Sequence, residues 1–154
     1  MAAGESYREL GEAALAWVLG QVRDEDGPWL PDSVSDDEEH PRPAADRDSV
    51  YAGIGGLAPL LAEAGQYRAL TGQERALAAA ITARLRTLAP VRSEGSLYDG
   101  LGGDVLALRL LAPGSERAAL GRLAELMTPS GWHTAVEIVR GDPVPITDLI
   151  QQGR

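Results

Sequence analysis

One pattern constrains this 154-residue chain more than any other: a glycine motif that occurs twice. Ser49-Val50-Tyr51-Ala52-Gly53-Ile54-Gly55-Gly56 returns as Ser96-Leu97-Tyr98-Asp99-Gly100-Leu101-Gly102-Gly103, and Tyr51 and Tyr98 set a period of 47 residues. A fixed period of that length is the mark of stacked supersecondary units, each too small to bury its apolar face alone.

Each unit holds two helix-forming segments of different character. Residues 49–65 carry Val50, Ile54, Leu57, Leu60 and Leu61 with little polar face, which predicts a buried helix. Pro59 leaves two options: the regular helix starts near Gly56, with Pro59 in its first turn, or it kinks. Thr71-Gly72-Gln73-Glu74 has capping-box spacing and opens an amphipathic helix with Leu77, Ile81, Leu85 and Leu88 on one stripe, ending before Pro90. The second unit repeats the order. Residues 97–112 are the buried type (Leu101, Val105, Leu106, Leu108, Leu111), and residues 115–127 the amphipathic type (Leu120, Leu123, Ala124, Met127). The expected fold is all-α: inner and outer helices in roughly two to three hairpins, one partial domain over residues 1–154. A linear solenoid and a closed α/α toroid both satisfy this pattern.

Ahead of the repeats, residues 6–23 predict another amphipathic helix. Ser6 to Glu9 gives a second capping box, and Leu10, Ala14, Trp17, Val18 and Gln21 follow at helical spacing, which assigns Trp17 to the core. Residues 24–48 form a long loop with Pro28, Pro31, Pro41 and Pro43 and the acidic run Asp36 to Glu39. It either folds over a cavity mouth or is partly mobile, with Trp29 as its anchor. Residues 135–139 read as a brief strand or an extended connection, and Pro143 and Pro145 keep the chain irregular up to Ile146.

The motif glycines have two readings. Either they let backbones approach closely where inner helices crowd, or their turns line a pocket with exposed helix amides. Neither copy is a Walker or Rossmann loop, since both lack Gly-Lys-Ser/Thr and a preceding strand.

Composition excludes several functions. With no Cys, the chain forms no disulfide and no thiolate metal site. Every basic residue is Arg, and the formal net charge of −9 argues against general nucleic-acid binding. A secretory signal and a membrane span are both lacking from the pattern, which makes a cytoplasmic protein the expectation and a membrane partner none.

The two glycine motifs, Gly131-Trp132 and the late Ile146-Thr147-Asp148-Leu149-Ile150 together resemble the first part of a lanthionine synthetase C-like protein, from about Trp17 onward. That resemblance implies an α/α toroid in a family that closes thioether rings on dehydrated peptides, with a zinc ion activating the Cys thiol. The family's zinc is held by two Cys and one His from the later part of the toroid. This chain has no Cys, so the resemblance implies no metal site and no cofactor here; zinc belongs to a full-length member. Asp148 matches the family's acid–base aspartate, although Gln151-Gln152-Gly153 stands where the family motif reaches its Gly after one residue. Capping of a following helix is the alternative role for Asp148. The cavity end is then lined by Tyr51, Gly53, Tyr98, Asp99, Gly100, Trp132 and His133.

Other constellations stay open. His40 beside the acidic run is a metal ligand or part of a solvated loop. His133 is a backbone-paired histidine or a base. Asp104 lies by the second glycine turn, where it pairs with Arg109 or faces a cavity. Asp99 with Asp148 would be a carboxylate pair for sugar chemistry, and no nucleophile elbow surrounds Ser130.

The functional expectation is the N-terminal portion of a lanthionine synthetase C-like protein, not catalytic by itself. The alternative is a non-catalytic helical-repeat module that binds or scaffolds a peptide or protein, its acidic loop attracting a basic partner. Under half a ring leaves apolar faces uncovered. The chain is thus part of a longer protein, a short relative that self-associates, or a subunit completed by another chain.

Overall fold

The computed structural model describes residues 3–34, 43, 46–129 and 131–132. Expectations for His40, His133, Asp148, the acidic run at 36–39 and residues 135–139 fall outside them.

Among the described residues the chain is helical, with one two-stranded ribbon: α1 (Ala3–Gly20), β1 (Arg23–Asp24), β2 (Pro28–Trp29), α2 (Leu57–Tyr67), α3 (Gly72–Leu88), α4 (Leu101–Leu111) and α5 (Arg117–Glu125). No helix among them is long and apolar enough to cross a membrane.

The repeat appears as two layers. Helices α2 and α4 lie side by side, α3 packs against both, and α5 packs on α4 and on the 3-10 turn Ala89–Val91. Ile54, Leu57 and Leu61 of the first unit meet Leu101, Ala107 and Leu108 of the second, with Ile81 and Leu85 of α3 closing the core. Pro59 sits in the first turn of α2, which starts at Leu57 after a 3-10 turn, so the helix needs no kink. The Thr71 hydroxyl accepts from the Glu74 N–H and the Glu74 carboxylate accepts from the Thr71 N–H, completing the box at the start of α3.

Four expectations are corrected. Helix α1 begins at Ala3, so Ser6 and Glu9 lie inside it and form no cap. Its stripe of Leu10, Ala14 and Trp17 faces solvent, with Trp17 59% exposed, while Val18, Leu19 and Val22 touch the core. The loop after α1 is not wholly irregular: Arg23 pairs with Trp29 and Asp24 with Pro28 in a ribbon turned by Asp26 and Gly27, both with positive φ. Asp-Gly is a strong short-range hairpin signal, and it stands in the sequence. Finally, neither inner helix is buried all round. Leu60 on α2, Leu106 and Leu110 on α4, Leu120 on α5 and Met127 just past its end are all exposed.

Candidate functional site

The two glycine turns meet at one end of the helical layers and are built alike. In each copy the serine hydroxyl accepts an N–H three residues on: Ser49 from Ala52 at 2.9 Å, Ser96 from Asp99 at 3.2 Å. Each chain then folds back on the segment preceding it. Ile54 N–H donates to the Arg47 carbonyl at 2.8 Å, and Leu101 N–H to the Glu94 carbonyl at 2.9 Å. A Cβ at Gly53 would overlap that Arg47 carbonyl, and one at Gly100 the Glu94 carbonyl. At the last glycine of each motif, a Cβ would lie 2.6 Å from Val50 O in the first copy and 2.5 Å from Leu97 O in the second. These glycines have ordinary negative φ, −120° at Gly53 and −138° at Gly100. They are glycine for want of space.

The copies are also bonded to each other. The Val50 and Tyr51 N–H groups both donate to the Tyr98 carbonyl, at 3.1 and 3.2 Å. Above that carbonyl the Tyr51 and Tyr98 rings meet edge to face, centroids 6.1 Å apart, and both are largely exposed. Asp99 is exposed on the same rim.

Beneath the rim is an ionic layer. Asp104, in the first turn of α4, is 2% exposed and faces Arg92, whose Nε lies 2.7 Å from its Oδ2. Arg92 also donates to the Asp99 carbonyl at 3.2 Å. Burial pushes the Asp104 carboxyl up to about 6 against the opposing pull of Arg92. Desolvation likewise raises Asp46 nearby. The expected Asp104–Arg109 pair does not form: Arg109 approaches Glu116 at 3.6 Å instead. Arg84 pairs with Asp48 and donates to the Asp26 carbonyl, while Arg47 donates to the carbonyls of Asp26 and Gly27. The ribbon turn is thereby tied to the start of the first motif.

Of the residues expected at a cavity end, the structure brings Tyr51, Gly53, Tyr98, Asp99 and Gly100 together around one junction. Trp132 is set apart: its indole N–H donates to the Leu123 carbonyl at 2.7 Å and its ring packs where Gly95 has no side chain. The four amides that open α4 are used within the chain, donating to Glu94, Ser96 and, for both Gly103 and Asp104, Gly100. They offer nothing to an anion, so the close-approach reading of the second motif is the one its hydrogen bonds follow.

Sequence reasoning missed Arg92 and the clamp on α1. In the clamp, Arg68 grips Glu12 of α1 and Glu74 of α3, four contacts at 2.8 Å. The Arg68 guanidinium holds Glu74 down at about 2 and also lowers Glu12. Ion pairs between residues distant in sequence leave no local spacing to read. Beside the clamp, α1 and α2 enclose a groove of about 800 Å³, with Tyr7, Leu15, Leu60, Ala64 and Tyr67 on its walls. A smaller hollow of about 460 Å³ lies between the ribbon turn and α3. Among the described residues no three His, Cys, Asp or Glu side chains stand together as a metal site.

Comparison with protein-family models, with curated proteins and with solved structures finds no match to the chain.

Proposed function

We propose that the chain forms the N-terminal arc of a lanthionine synthetase C-like α/α toroid and supplies a wall of its peptide cavity, without carrying the cyclisation chemistry itself. One observation carries this reading: two glycine turns of matching hydrogen-bond pattern, bonded to each other, with α2 and α4 side by side behind them. The open apolar flank of Leu106, Leu110, Leu120 and Met127 supports it too, since the next hairpin of a ring would cover that flank. The family's zinc site of two Cys and one His does not fit this chain, which has no Cys. A cytoplasmic location goes with this reading.

The test pairs the chain with a dehydrated, Cys-containing peptide. The expected result is saturable binding that weakens when Tyr51 and Tyr98 are both replaced by Ala, and no thioether, with or without zinc. Zinc-dependent ring closure by this chain alone would overturn the non-catalytic part, and absence of peptide binding would overturn the cavity wall. A second reading, a helical-repeat module for a protein partner, is favoured by the groove between α1 and α2. It predicts binding that responds to Tyr67→Ala and is indifferent to Tyr51 and Tyr98.

A further inference from the structure

Arg92 touches two parts of the second unit at once. Its Nε lies 2.7 Å from Asp104 Oδ2 in the first turn of α4, and its Nη1 donates to the Asp99 carbonyl of the glycine turn at 3.2 Å. Its backbone is fixed without help from its side chain. The Arg92 N–H donates to the Leu88 carbonyl at 3.2 Å, and the Arg92 carbonyl accepts from Arg122 Nε of α5 at 3.1 Å. The guanidinium can therefore leave Asp104 while the backbone stays in place. It also has a way out: the Arg92 side chain is 15% exposed, whereas that of Asp104 is 2% exposed.

The contact with Asp99 bears on the whole junction. The adjoining carbonyl, that of Tyr98, accepts the Val50 and Tyr51 N–H groups. Two successive peptides of the second turn are thus held by different partners, one by the first copy and one by Arg92.

Charges around the pair are unequal. Asp46 and Asp48 act on Asp104 from the segment before the first motif, and Glu94 and Asp99 act on Asp46 in turn. Asp48 is already bonded to Arg84 of α3, and Arg122 of α5 pairs with Glu125. From α2 and the 3-10 turn before it come the apolar side chains Ile54, Leu57, Ala58 and Leu61, which bring no charge to this core. Among the described residues Arg92 is the one cation paired with Asp104. Burial and neighbouring carboxylates favour a proton on Asp104, and Arg92 alone opposes it.

We propose that Arg92 is a proton-controlled latch on the second glycine turn: it holds the Asp99 peptide against α4 while Asp104 is ionised, and swings out to solvent when Asp104 takes a proton. A buried guanidinium is tolerated only beside an opposite charge. Without that charge, a long side chain on a fixed backbone reaches water by turning its stem. Neutral Asp104 stays buried, and the Asp99 carbonyl loses its donor. The first copy has no such latch, since Ala45 and Leu57 stand where the second has Arg92 and Asp104. The latch belongs to the junction itself and is independent of the toroid reading.

NMR of the full chain, titrated from about pH 4.5 to about pH 8, reads the outcome. The Gly100 amide nitrogen reports on the Asp99 carbonyl to which it is joined, and the Arg92 Nε–H reports on the guanidinium. Both are expected to change together with a midpoint at about 6, the Arg92 Nε–H losing its protection from exchange on the acid side. Asp104→Asn should hold both signals at their acid limit throughout. Asp46→Asn removes a like charge and should move the midpoint to lower pH. Signals that stay fixed across the range in the parent would overturn the proposal, and so would a titration that persists in Asp104→Asn. A Gly100 shift with Arg92 still protected would overturn it too, since that reports the charge of Asp104 without movement of Arg92. Every readout is of the chain without ligand, so a failure of peptide binding leaves this test unchanged.

Discussion

One residue past the last motif glycine, the first copy carries Leu57 and the second carries Asp104, one period apart and each 2% exposed. The surrounding backbone is built alike in both: a serine turn, a carbonyl pressed against a glycine, and a helix beyond it, which opens through a 3-10 turn in the first copy and directly in the second. The chemistry enclosed differs. Leu57 needs no partner. Asp104 needs a cation, and Arg92 supplies it from the segment after α3, where the first copy has Ala45. The glycines thus fix the shape of the turn, and the residue under it can change provided that its charge is met.

The largest test of this equivalence is steric. Gly53→Ala and Gly100→Ala are each expected to cost about 3 kcal/mol or more in urea unfolding, since a backbone carbonyl must move in both. Clearly unequal losses would break the equivalence of the two turns.

A difference between the copies should appear in their pH dependence. Asp104 holds its proton up to about 6 in the folded state, above its ordinary value of 3.8. The penalty is absent below about pH 4 and complete above about 6, so this group lowers stability as pH rises through that window. Asp104→Asn is expected to gain on the parent by on the order of 3 kcal/mol across the window, read by thermal or urea unfolding at each pH. Leu57→Asn should show no such slope. Glu74 works in the opposite direction: held at about 2 by Arg68, it stabilises above its ordinary value of 4.5 and loses that contribution as pH falls toward 2. Glu74→Gln is expected to flatten the acid limb of the stability curve.

Smaller effects distinguish the outer helices. Helix α3 starts with a full capping box, whereas α5 starts at Arg117 after Glu116, whose side chain makes no cap on that turn. Thr71→Ala should cost about 1 kcal/mol, and Ser115→Ala, whose hydroxyl donates to the Leu108 carbonyl at 3.3 Å, less. Smallest of all, Tyr51→Leu and Tyr98→Leu should each cost about 0.5–1 kcal/mol in unfolding, equal to one another because each removes the same edge-to-face contact.

Much of this fold was legible in the chain because repetition and periodicity are local. The 47-residue period and the box at Thr71 follow from spacing along the sequence, while Pro59 narrowed α2 to two options, of which the start past Gly56 is the one observed. Orientation was harder. The stripe on α1 tells which residues are alike, and its spacing does not say whether a partner lies opposite; Trp17 was therefore assigned to a core that it faces away from. Around α5 the expected Leu123 does pack inward, but Ala119 and Leu126 join it in place of Leu120 and Met127, a shift of one helical position. Asp104 was matched to Arg109 by proximity in sequence, but five residues along a helix point elsewhere, and a cation from an upstream segment reached it first. At the candidate site the residues around the glycine turns were identifiable from the motif, while Arg92 carries no motif at all.

The shared carbonyl of Tyr98 also bears on how the chain becomes ordered. It accepts two N–H groups from the first turn, so that turn is complete only when a stretch 47 residues downstream has arrived. The entropy of closing so long a loop must be met before either half is rewarded, which makes neither hairpin an autonomous folding unit. Ordering is then expected as a single concerted step, and a truncation before Tyr98 would leave the first turn without its acceptor, even with every residue of that turn present.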